Sequence, residues 1–111
     1  PGTFAPIASY TLLEKGVAAA RKQGTSLKVG NVLSSDLFYD ADSTVNERWR
    51  SMGIMAVEME SAALYMNAAK ARKNALCLLT ISDDLLNHKA LSAEDRQFGF
   101  KKMMEIALEI A

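Results

Sequence analysis

Apolar positions fall into blocks along the chain whose spacing switches between helical and strand-like, separated by short polar stretches. In "TLLEKGVAAARKQ", residues 11 to 23, Leu12, Leu13, Val17 and Ala20 recur on one helical face, and Gly24 supplies a stop. Thr11 and Glu14 are spaced as a capping box at its start. "SLKVGNVLSSDLFY" is β-rich with small polar residues toward its end, which predicts a strand over 27–33 running out into a loop. "DADSTVNERWRSMG" predicts a loop that leads into a short amphipathic helix carrying Trp49.

The next blocks carry more information. "GIMAVEM", residues 53 to 59, is apolar on both faces, as a strand buried in a parallel sheet would be. "ESAALYMNAAKARKN" has helical spacing with basic residues in its last turn, where they suit the helix dipole. "ALCLLTI", residues 75 to 81, reads as a second fully apolar strand. Strand, helix and strand predict a parallel pair joined by a right-handed crossover. Ser92 and Asp95 form a capping pair ahead of a helix over 93–110, with Phe98, Met103, Ile106 and Ile110 expected to face inward. The predicted class is α/β. Met59, Met66, Met103 and Met104 read as fillers of core gaps, although Met59 lies between two glutamates.

Composition narrows the function. A length of 111 residues allows one domain at most, small for an enzyme with a complete pocket. Thirteen basic and thirteen acidic side chains cancel, so no global field favours a polyanion and nucleic acid is disfavoured as a partner. The single cysteine, Cys77, lies inside an apolar run, which points to a small core residue rather than a nucleophile. No stretch approaches the roughly 20 apolar residues of a membrane span, and no signal-peptide pattern opens the chain, so a cytoplasmic setting is expected. His88 stands in a polar loop with no second histidine or cysteine, so it reads as a surface residue and no metal site is expected. The first residue is not methionine and a helical pattern follows at once, as in a segment cut from within a domain.

Ligands of open α/β sheets bind beyond the carboxyl ends of the strands. Parallel strands ending at Met59 and Ile81 would bring Glu58 and Glu60 to the same edge as Ser82, Asp83 and Asp84. Each has an ordinary explanation: an acid suits the first turn of a helix, and Ser82 and Asp83 suit a turn. Two acid-bearing ends on adjacent strands are less easily explained as independent punctuation. By composition alone, Phe38 and Tyr39 read as core or loop anchors.

"GIMAVEMESAALY", "LLTISDD", "SSDLFYD" and "SAEDRQFGFKKMMEIALE", in that spacing, resemble the bacterial hexameric type of the nucleoside phosphorylase family over essentially the whole chain. The resemblance is to the C-terminal half of a single domain, which residues 1–111 would form within a three-layer α/β/α fold with a mixed central sheet. It implies reversible phosphorolysis of purine nucleosides to the base and ribose 1-phosphate, with phosphate as co-substrate, no cofactor, and a homohexameric assembly. Asp83 would be the general acid toward purine N7, with Ser82 beside the base. Glu58, Met59 and Glu60 would form the nucleoside site, Glu60 accepting from the ribose hydroxyls and Met59 packing on the sugar. Phe38 would stack on the purine. Arg96 resembles the family's mobile arginine and would be distant from the acid in an open form. The arginines and glycine that bind phosphate belong to the family's other half. Two alternatives stay open: hydrolysis of the methylthioadenosine or S-adenosylhomocysteine nucleosidase type, and a non-catalytic domain that retains the nucleoside cleft. Uridine phosphorylase shares "EMES" but lacks the "SD" acid.

Overall fold

A computed structural model describes residues 2–111. The order of elements is α1 (Tyr10–Gln23), β1 (Val32–Ser34), α2 (Val45–Ser51), β2 (Ala56–Glu58), α3 (Ser61–Lys70), β3 (Asp83–Asp84), β4 (Lys89–Ala90) and α4 (Ala93–Ile110). The class is α/β, as predicted. The body measures 46 × 39 × 20 Å, so its thinnest dimension is about two helix diameters.

Helices α1 and α4 pack on each other and hold the core, which consists of Ala19, Ala20 and Ile106 with Leu27, Leu78 and Ile110 around it. The small side chains of α1 allow this close packing. A Cβ at Gly16 would lie 3.3 Å from Leu76 Cδ2. Polar contacts bind the same helix pair, since Lys22 Nζ meets Glu109 Oε1 at 3.0 Å and Gln23 Nε2 donates to Glu105 Oε2 at 2.7 Å. Helix α1 ends where expected: Gly24 adopts φ 77°, and its N–H caps the carbonyls of Ala20 and Arg21. Its start differs, because Ser9 takes the N-cap position and no side chain caps the helix, so Thr11 and Glu14 form no capping box.

At α4 the predicted cap is present. Ser92 Oγ accepts from the Asp95 N–H at 3.1 Å and donates to Asp95 Oδ2 at 2.7 Å. Met103, Ile106 and Ile110 lie on the more buried side, but Phe98 is exposed, with Lys102 Nζ 4.6 Å from its ring centroid. The inward place in that turn belongs to Gly99, because Thr80 lies where a larger side chain would stand. Met59, Met66 and Met104 are likewise exposed rather than core fillers.

The strands differ most from expectation. Strand β1 pairs in parallel with β2, Val32 with Ala56, Leu33 with Val57 and Ser34 with Glu58, and the crossover between them carries α2 and Trp49. The parallel pair therefore forms one unit earlier than predicted. Residues 75–81 ladder with no strand among the described residues. Their alternate side chains explain how they are nonetheless held: Leu76 meets α1 at Gly16, Leu78 borders the core, and Thr80 Oγ1 donates to the Gly99 carbonyl at 3.2 Å. Packing against helices replaces sheet pairing there. Helix α3 also stops early, at Lys70, where Arg72 takes φ 55° and the Lys73 N–H bonds back to the Ala68 carbonyl. The polar stretch from Asp83 to Ala90, which by composition is a loop, folds into an antiparallel hairpin, β3 with β4. His88 is exposed in it at φ 53°.

Candidate functional site

Two groups of the predicted residues are built by different devices. The first lies where β2 hands over to α3. A helix start leaves backbone N–H groups without intrahelical partners, and here the strand ends supply acceptors. Glu58, the last residue of β2, accepts from the Glu60 N–H and the Ser61 N–H through Oε2, both at 2.7 Å, and from the Ser61 hydroxyl through Oε1. Ser34, the last residue of β1, accepts from the Ala62 N–H at 3.3 Å. Partial burial pushes the Glu58 carboxyl up, but the Ser61 hydroxyl and the Glu60 and Ser61 amides, with Ser34 adding less, outweigh it. The carboxyl is held below its ordinary value.

Glu60 is placed differently. It occupies the N-cap position of α3 at φ −129°, its side chain caps nothing, and among the described residues its carboxylate takes no hydrogen bond. The structural role that the sequence suggested for an acid at this helix start thus falls to Glu58, and Glu60 is the exposed, unengaged acid. Met59 is exposed beside it. Ser34 and Ser61 were not singled out in the sequence; a serine closing the strand and another opening the helix were the available signals.

The second group joins the hairpin to α4. Ser82 Oγ donates to Asp83 Oδ2 at 2.5 Å, and Arg96 Nη2 lies 3.4 Å from Asp83 Oδ1. Arg96 Nε is buried and has no hydrogen-bond partner among the described residues. Arg96, in the first turn of α4 behind the Ser92 cap, thus stands next to Asp83 in this structure rather than distant from it. Asp84 points its carboxylate into its own turn, accepting from the amides of Leu86 and Asn87 and from the Asn87 side chain. Those bonds, the Asn87 side chain foremost, hold it below the usual carboxylate value.

The whole chain matches the model of the phosphorylase superfamily, over residues 1–111. The chain belongs to that superfamily. It is 45% identical over 108 residues to the DeoD-type purine nucleoside phosphorylase of Clostridium novyi (strain NT), and 48% identical over 108 residues to the DeoD-type 2 enzyme of Vibrio cholerae serotype O1. The corresponding enzyme of Jannaschia sp. (strain CCS1) is 47% identical over 108 residues. Each match covers 97% of this chain and 46% of the relative, so the chain spans about half the length of the curated relatives it matches.

In this phosphorylase-superfamily chain no hydrogen bond or ion pair connects the Glu58 group to the Asp83 group among the described residues. Cys77 lies between them in sequence and near the first in space. Burial raises its thiol above the ordinary value, and the negative charges of Glu58 and Glu60 raise it further. Its backbone N–H donates to the Tyr65 hydroxyl at 2.9 Å, which ties the apolar run to α3. Phe38 and Tyr39 stand exposed on their loop with ring centroids 4.8 Å apart, edge to face. Among the described residues, no three His, Cys, Asp or Glu side chains are grouped to hold a metal ion, and no helix is long and apolar enough to cross a membrane.

Proposed function

We propose that residues 1–111 act as the nucleoside-holding and proton-donating half of a single purine nucleoside phosphorylase domain. The reaction is reversible phosphorolysis of purine ribo- and deoxyribonucleosides, and its place is purine salvage in the cytoplasm. The observation that carries this reading is the convergence of Ser82 and Arg96 on the two oxygens of Asp83.

Phosphorolysis breaks the bond between C1′ and N9, and the bonding electrons move into the purine. A proton delivered by Asp83 to N7 makes the base a better leaving group, while a phosphate oxygen bonds to C1′. The carboxylate left on Asp83 then faces a guanidinium at one oxygen and a hydroxyl donor at the other. Both contacts match the charge present after proton transfer better than the charge before it, so they favour the transition state. Glu60, with its free carboxylate, accepts from the ribose hydroxyls, each such bond contributing about 1.5–3 kcal/mol. Met59 packs on the sugar and Phe38 stacks on the base. Glu58 serves the nucleoside site by holding the Met59–Glu60 turn. Phosphate is the co-substrate and no cofactor enters the scheme. In the complete enzyme the domain is a three-layer α/β/α fold with a mixed sheet, six copies form the assembly, and phosphate is bound outside this chain.

The test joins this chain to the N-terminal part of the Clostridium novyi relative and follows hypoxanthine release from inosine. Release that requires phosphate is the expected result. Release without phosphate favours the nucleosidase type, and none in either condition leaves a non-catalytic nucleoside cleft. In the active form, Asp83→Asn should slow ordinary purine nucleosides far more than nucleosides whose base is already a good leaving group. Equal losses on both would remove Asp83 from the acid role.

A further inference from the structure

Arg96 follows Asp83 by 13 residues, and the chain between them is the β3–β4 hairpin and the first turn of α4. Backbone and side-chain contacts close this path into a ring. Asp83 pairs with Ala90 and Asp84 with Lys89, and the Leu91 N–H donates to the Ser82 carbonyl at 2.8 Å. The returning strand therefore ends opposite the residue that precedes the acid. Ser92 then caps α4, its carbonyl accepts from the Arg96 N–H at 3.0 Å, and Arg96 Nη2 reaches back to within 3.4 Å of Asp83 Oδ1. The placement of the guanidinium thus depends on the hairpin staying shut.

Little else keeps it shut. Each strand is two residues long and exposed, and no third strand joins them among the described residues. A two-stranded hairpin of that kind is marginal in water. Its turn also contains His88 at φ 53°, a left-handed conformation that disfavours a residue with a Cβ. Against this stands one carboxylate. Asp84 Oδ1 accepts from the Leu86 N–H at 3.0 Å and the Asn87 N–H at 3.1 Å, and Oδ2 accepts from Asn87 Nδ2 at 2.7 Å. Asp84 exchanges no hydrogen bond with Ser82 or Arg96, so it is not part of the Asp83 group itself.

We infer that Asp84 is a positioning residue for the proton-donating site: by tying the 84–87 turn it keeps the hairpin shut, and the shut hairpin sets the Arg96 guanidinium beside Asp83. The role is geometric and not a matter of Asp84's charge. An asparagine at 84 would retain an oxygen for the Leu86 and Asn87 amides, and the Asn87 amide can turn over to meet its nitrogen. An alanine would leave all three donors without their acceptor. The effect on turnover rests on the phosphorolysis proposed above, whereas the effect on Arg96 does not.

The test has one arm without substrate and one with it. In the 111-residue chain, Asp84→Ala should speed hydrogen exchange of the Leu91 amide about tenfold, the effect of losing overlapping turn bonds that are each worth a factor of about five. The NMR order parameter of the Arg96 Nε–H should fall as well, while helical circular dichroism is unchanged. Asp84→Asn should restore both readings, and Asn87→Ala, which removes one donor, should move both part of the way. In the chain joined to the N-terminal part of the Clostridium novyi relative, Asp84→Ala should lower kcat on inosine about tenfold and change KM by less than about twofold, because the nucleoside contacts are untouched. In an Arg96→Ala background the same substitution should cost nothing further, since both act through one guanidinium. Unchanged Leu91 exchange or Arg96 mobility in Asp84→Ala overturns the inference, as does an Asn variant no better than Ala, or a full additional loss of kcat in the Arg96→Ala background. Altered Arg96 mobility in a joined enzyme that releases no hypoxanthine refutes the activity and leaves the positioning role standing.

Discussion

Replacing Glu58 separates its role as a helix cap from any role as a mere surface charge. In Glu58→Ala the amides of Glu60 and Ser61 lose their shared acceptor, and the Ser61 hydroxyl, on a residue only 4% exposed, loses its partner. Loss of a capping acceptor costs about 0.5–2 kcal/mol, and a buried polar group left unsatisfied costs about 1–3 kcal/mol. These effects overlap, so the combined loss is about 2–3 kcal/mol. Glu58→Gln keeps a neutral oxygen in place and should cost about 1 kcal/mol, since a charged acceptor is roughly twice as strong as a neutral one. Exchange rates of the Glu60 and Ser61 amides and urea unfolding followed by circular dichroism measure both. Because the folded carboxyl is held below the ordinary value of 4.5, its stabilising contribution is fully present above that pH. It is lost as the pH falls through the lowered folded value, and the Gln variant should lack that part of the acid response. Equal costs for Ala and Gln, or an acid response unchanged in Gln, would refute the capping argument.

Gly99→Ala should destabilise although alanine is the better helix former by about 1 kcal/mol, because its Cβ would stand 2.7 Å from Thr80 Cγ2. Overpacking costs about 1–3 kcal/mol, so a net loss of about 1 kcal/mol in urea unfolding is expected, and adding Thr80→Ser should recover part of it. Cys77 should react with iodoacetamide at neutral pH more slowly than glutathione does, because burial and the adjacent Glu58 and Glu60 keep the thiol protonated; an equal rate would contradict the packing of 75–81 against α3. Arg96→Ala should change the stability of the chain by less than about 1 kcal/mol, since both partners of its pair with Asp83 are about 40% exposed. The same variant in the active form should slow turnover, and a large stability loss with unchanged turnover would make the arginine structural.

What the amino-acid sequence made legible follows from where each segment finds its partner. Helices α1 and α4 were read nearly to their ends because Gly24 and Ser92 carry their own cap chemistry and the two apolar stripes bury each other within the chain. The exposure of Phe98 is not legible from helical spacing, because spacing does not reveal that Thr80 leaves room only for a glycine one position later. The run at 75–81 has the composition of a buried strand, yet no strand flanks it among the described residues. Apolar periodicity reports that a segment is suited to burial; it does not report what buries it. The site divides along the same line. Asp83 and Ser82 were legible as neighbours because they are adjacent in sequence, and Arg96 was expected near them only in a closed arrangement. The division of labour between Glu58 and Glu60 was not legible, since it depends on the bend between β2 and α3 that carries one carboxylate back to the helix amides and turns the other outward. That bend leaves the Glu60 carboxylate free, because Glu58 two residues earlier has already satisfied the helix start.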